Sequence, residues 1–386
     1  MLYAIRKVQA IIRGFWLFKL LKKHFGDQLG RLQNVPVVER GGVQPKGTLV
    51  KDSATDLTPS QFLYGRYIKE VDRTLVSCLS IRWLFYGDYD AFKNGQPDNM
   101  AVKEETFHEL REFARVALSN WDPDHVWALI VSLILGDLGK DPVLQQDVQG
   151  NKVEQFNHDQ VLQVAVGKKL PIVQKPLQLL SEELAKCVED GITMGAGLNI
   201  PQLIQGENVP GSLESVRYLK GKSFDLKYLE MMLDVCGAGG HIDARGAVRM
   251  IEPVCQSFLG VRHLLKDVSE GNRDVVTAYD EALEICGKSL IDNGFQKLDT
   301  KNTDDRCLLR ILRMGRVIDK DRAQRFETAF NNLPEDTRMS LVDGLSDNGV
   351  GGGTAVILYY MPAVFAEVLR VNHEASEVEI IEILMS

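Results

Sequence analysis

The chain has 386 residues, enough for one large or several smaller domains, with 45% hydrophobic and 25% charged residues, which is ordinary for a globular protein. Its formal net charge of −8 argues against a general nucleic-acid-binding surface, so no nucleic-acid partner is expected. The six cysteines are scattered, without metal-ligand or redox spacing, and read as reduced core residues of an intracellular, cytoplasmic protein.

From Met1 to Gly26 there is no acid, while Arg6, Lys7, Arg13, Lys19, Lys22 and Lys23 alternate with Ile, Leu, Phe and Trp at helical spacing. This predicts a basic amphipathic helix over residues 1–26. It fits peripheral contact with an anionic membrane surface, a mitochondrial targeting segment, or a first helix docked on an acidic domain. Residues 27–58, rich in Gly, Pro, Val and Gln, read as an extended arm or linker.

From Pro59 onward the apolar residues recur three and four apart, and an all-α fold follows, with one large helical domain over 59–386. KEETFHELREFARVALSN predicts one helix. DPDHVWALIVSLILGDLGK predicts a second that opens at Asp122-Pro123, and its near-continuous apolar run places it in the core. A further helix is expected from about Ala244, after the Gly-rich loop CGAGGHIDARGA, and another before VNHEASEVEIIEILMS, whose end reads as either a strand or a last helical turn.

The run ILGDLGKDP, Ile134–Pro142, follows the apolar helix, and His108 lies one helix earlier. Together they resemble the HD superfamily, an all-α group of metal-dependent hydrolases, with Gly136 where that family has the histidine of its His-Asp pair. The resemblance implies an HD-like core around 102–265 and a site holding a divalent metal (Zn, Mn, Fe or Mg), in which imidazole and carboxylate ligands activate a water at neutral pH. Carried onto this sequence, it makes Asp137 and Lys140 the catalytic pair. His108, Asp137, His158, His241 and Asp243 become metal ligands, with Asp225 and Asp234 as further alternatives for the family's final Asp. Lys140, Arg245, Gly239 and Gly240 become contacts to a small anionic or phosphorylated substrate.

Plainer readings stand beside these. Asp137 could cap a helix end, with Gly139 left-handed and Lys140 complementing the helix dipole. His108 could be an exposed helix residue, Asn157-His158-Asp159 a helix start, and the His241 loop purely structural. The glycines of DGLSDNGVGGGTAVILYYMP, flanked by Asp343 and Asp347, fit a tight turn better than an anion cradle, since no Walker lysine and no preceding strand accompany them. Without the histidine at 136 the chain is either a divergent hydrolase or a catalytically inactive HD-like scaffold that binds a ligand or a protein.

Overall fold

The computed structural model describes residues 2–36, 58–150, 156–351, 357–358, 360–371, 376 and 379, with side chains from Trp16 onward except those of residues 369 and 370. Most of the expected arm therefore lies outside the described residues, as do Gly352, Gly353 and nearly all of the final EVEIIEILMS. Among the described residues every regular element is a helix. In chain order these are α1 (Leu2–Leu32), α2 (Pro59–Tyr64), α3 (Lys69–Tyr86), α4 (Tyr89–Phe92), α5 (Glu104–Ala117) and α6 (Pro123–Gly136). A 3₁₀ turn, Leu138–Lys140, precedes α7 (Pro142–Gln149), α8 (His158–Gly167), α9 (Pro171–Leu177), α10 (Glu182–Gly195) and α11 (Ile200–Ile204). After a second 3₁₀ stretch, Pro210–Tyr218, come α12 (Lys222–Gly237), α13 (Glu252–Glu270), α14 (Val275–Asp292), α15 (Thr303–Met314), α16 (Lys320–Asn331), α17 (Glu335–Ser346) and α18 (Met361–Val371).

Where the periodicity reads as one domain over 59–386, the described residues form two compact units. The first comprises the described residues through Gly197 together with Tyr218–Gln256, and the second comprises Leu198–Arg217 and the described residues from Ser257 onward.

In the first unit α12 packs most extensively on α3, and also on α10, α6 and α5. Gly237 and Gly240 permit this approach, since a side chain at Gly237 would meet Ser77 and the Arg73 carbonyl, and one at Gly240 would meet Val76 and the Asp72 carbonyl. Local signals set the helix starts. The Asp122 carboxylate accepts from the Asp124 and His125 N–H groups, with Pro123 in the first turn of α6. Asn157 and Gln160 form a reciprocal capping box at the start of α8. On α1, Phe18, Leu21, Phe25, Leu29 and Leu32 are buried at 0 to 5% exposure, and the helix packs on α2, α3, α6 and α9. The docked reading of the first helix thus holds for Phe18 onward.

The expected helix from Ala244 does not form. The chain from Ala238 to Ile251 is an irregular loop, and α13 starts at Glu252. Tertiary hydrogen bonds outweigh the local pattern there: the Ala247 N–H donates to the Phe92 carbonyl (2.8 Å), and the buried Gln96 amide donates to the Ala247 (2.8 Å) and Met250 (3.0 Å) carbonyls.

In the second unit α15 carries the interior and packs against α14, α16, α17 and α18. Arg310, 1% exposed, donates from its guanidinium to the carbonyls of Gly206 (3.1 Å), Asn208 (3.1 Å) and Leu345 (2.6 Å). The Asn208 carbonyl also accepts from the Tyr279 hydroxyl at 2.8 Å. The Gly349 turn packs against the 3₁₀ stretch, where a side chain at Gly211 would overlap the Gly349 carbonyl, while Asp347 accepts from the Gly349 N–H at 3.1 Å. All six cysteines are free and buried.

Candidate functional site

The site is a cluster of charged side chains held between α3, the end of α6, α8 and α12 of the first unit. At the end of α6 the 3₁₀ turn carries Lys140 back over Asp137, so that its ammonium lies 2.6 Å from Asp137 Oδ1 and 2.9 Å from Glu70 Oε2 on α3. Arg73, one turn after Glu70, reaches the same carboxylate at 3.3 Å, and the Thr74 hydroxyl lies 3.5 Å from Asp137 Oδ2. Burial alone would push the Asp137 carboxyl up, but Lys140 and Arg73 more than offset this and hold it well below the usual carboxylate range. Desolvation likewise works against the Lys140 ammonium, and Asp137 overcomes it, leaving the lysine charged with a raised pKa.

A second pair adjoins the first. Lys227 Nζ lies 2.6 Å from Glu230 Oε2, both on α12, with the lysine stem packed against Gly191 and Gly195 of α10. Burial raises the Glu230 carboxyl to about 7 despite Lys227. Asp234, one turn further along α12, is also raised, first by burial and then by the negative charge of Asp137. Gly136 faces this pair, since a side chain there would begin 3.2 Å from Glu230 Oε1. A side chain at 136, where the resemblance expects an imidazole, would start against the Glu230 carboxylate.

Of the residues expected at the site, Asp137 and Lys140 meet directly, and His158 acts electrostatically on Asp137 from the first turn of α8. Gly139 is not left-handed, as the capping reading requires. Its lack of a side chain is needed because a methyl group there would overlap the His158 carbonyl, so Gly139 seats α8 on the 3₁₀ turn. His158 itself pairs with Asp159 at 3.4 Å. Asp234, one of three alternatives for the final Asp, joins the cluster. Asp225 stays in the first turn of α12.

The other expected residues do not converge there. His108 is 57% exposed on α5 and faces Glu104 at 3.7 Å, because the buried face of that helix is formed by Phe107, Leu110, Phe113 and Ala114. Asp243 accepts from both Nε (2.9 Å) and Nη2 (2.7 Å) of Arg245 within the loop. Gly239 and Gly240 serve packing, the former against Val248 and the latter against α3. Among the described residues no group of three or more His, Cys, Asp or Glu side chains is arranged to hold a metal ion.

His241 lies beside the cluster. Burial, with the positive charges of Lys69 and Arg73, lowers its imidazole to about 4, and its Nδ1 is buried with no hydrogen-bond partner, as is Arg73 Nε. Glu70, Arg73, Lys227 and Glu230 escape a motif search. Their signal is compositional: KEVDR opens a helix whose other charged residue is Arg82, and Lys227 and Glu230 stand three apart within α12.

No curated protein and no solved structure matches the chain. A family model, described as a family of unknown function (DUF6829), matches residues 18–386, a span that includes every member of the charge cluster, and the chain belongs to that family.

Proposed function

We propose that the chain is a metal-independent, HD-like scaffold that binds a small anionic ligand beside its charge cluster and does not hydrolyse it. The observation that carries this reading is the Lys140 ammonium, in contact with both Asp137 and Glu70. A divalent ion bridging those carboxylates would have to displace a charged, ion-paired lysine, and the Glu230 carboxylate lies 3.2 Å from where a side chain at Gly136 would begin. The ligand class follows from the edge of the cluster. Around His241 the positive charges of Lys69, Arg73 and Arg249 outweigh the negative charge of Glu70, and Arg73 Nε and His241 Nδ1 are buried groups without partners.

The test is thermal unfolding of the full chain in pyrophosphate against chloride at matched ionic strength. Binding to the folded state alone raises Tm with ligand concentration, by about 2.7 kcal/mol of added stability at a hundredfold excess over Kd. Lys69→Ala, a partly exposed change, should abolish the rise and leave the ligand-free Tm in place. No rise in the unsubstituted chain would overturn the ligand assignment.

The hydrolase reading retains one observation of its own: burial raises both Asp234 and Glu230, a surplus of carboxyl groups that a divalent ion would discharge. It expects about one metal ion per chain, lost on Asp137→Ala.

A further inference from the structure

The sequence of α1 carries two apolar stripes, and the described side chains assign docking to the first. Phe18, Leu21, Phe25, Leu29 and Leu32 form the docked stripe. Ile5, Val8, Ile12 and Trp16 repeat at i, i+3, i+7 and i+11 and form the second, which at 3.6 residues per turn is rotated by about 145° from the first. Trp16, the member of this stripe whose side chain is described, is 67% exposed. The same helix face continues into Lys19 and Lys23, both exposed.

Charge complementarity identifies the occupant. Six basic residues and no acid lie between Met1 and Gly26. The first acid, Asp27, is paired with Lys175 at 3.2 Å. Within this segment Lys22 donates to the Leu63 carbonyl at 2.8 Å and Lys19 lies over the Phe62 ring at 5.5 Å, which leaves Lys23 among the described side chains, with Arg6, Lys7 and Arg13 preceding it in the sequence. An apolar stripe edged by cations and ending on an exposed tryptophan suits a bilayer interface, where acyl chains take the stripe, anionic headgroups take the cations and the indole sits at the boundary. Among the described residues no helix is long and apolar enough to cross a membrane, so the contact is peripheral.

We propose that residues 2–16 of α1 form a peripheral anchor for anionic bilayers, with Trp16 as its interfacial aromatic. This does not rest on the ligand reading of the charge cluster. The test is flotation of the full chain with vesicles of phosphatidylcholine alone and of phosphatidylcholine mixed with phosphatidylserine. The chain should float with the mixed vesicles only, and less so as salt is raised. Arg6→Glu combined with Arg13→Glu should lower partitioning by about tenfold or more. Trp16→Ser should lower it by several-fold; because Trp16 is exposed, an unchanged Tm in that variant separates loss of binding from loss of fold. Absence of flotation with the mixed vesicles, or flotation insensitive to the double charge reversal, would overturn the proposal.

Discussion

At the residue scale the site is governed by pairing rather than by any single group. Asp137→Ala removes one of the two carboxylates that hold the Lys140 ammonium and leaves a largely buried charge under-compensated, so chemical denaturation should show a loss of about 3–5 kcal/mol. Replacing Asp137 and Lys140 together by Leu and Met should recover much of that loss, and a double-mutant cycle that found the two changes additive would contradict the pairing. Gly139→Ala drives a methyl group into the His158 carbonyl and should cost about 2–4 kcal/mol by the same measurement. Glu230 supplies a pH dependence. Its carboxyl lies at about 7 in the folded chain against an ordinary value of 4.5, so between those pH values the folded state binds more protons than the unfolded state, and stability falls as pH rises. Glu230→Gln should therefore match the parent near pH 5 and exceed it near pH 8, by on the order of 1–3 kcal/mol. Equal pH slopes for the two proteins would show that this carboxyl is not the titrating group.

At the scale of elements, legibility followed local chemistry. Asp122-Pro123 and Asn157 mark the starts of α6 and α8 in the sequence, and the structure uses both as caps, with Gln160 completing a capping box at the second. Asp137 and Lys140 were legible as a unit through the GDLGK run. Glu70 and Arg73 were not, because nothing in their spacing tells which helix will face α6. The same blindness to long-range contact misplaced His108, whose spacing from Asp137 fits the resemblance while its helix turns it outward. The loop from Ala238 to Ile251 defeated the helical pattern because Gln96, far away in sequence, holds its carbonyls. The docked half of α1 is fixed by Phe25, fully buried against Trp127 at a centroid separation of 5.3 Å, at a point where the helix is kinked (φ −122°, ψ 29°). Phe25→Ala should cost about 3–5 kcal/mol, whereas Trp16→Ser should leave Tm unchanged.

At the scale of the molecule, helical periodicity gives the all-α class but carries no boundary between units, since both are built from amphipathic helices of similar length. What unites the first unit is the set of helices that close on the charge cluster. There an ammonium ion bridges two carboxylates, and the Glu230 carboxylate faces Gly136; on these the proposed metal-independent reading rests. The most direct test of that account is elemental analysis of the purified full chain, with Tm measured before and after exposure to a chelator. The account predicts no transition or alkaline-earth metal at stoichiometric level and an unchanged Tm. About one metal ion per chain, lost together with stability on chelation and absent from Asp137→Ala, would contradict it.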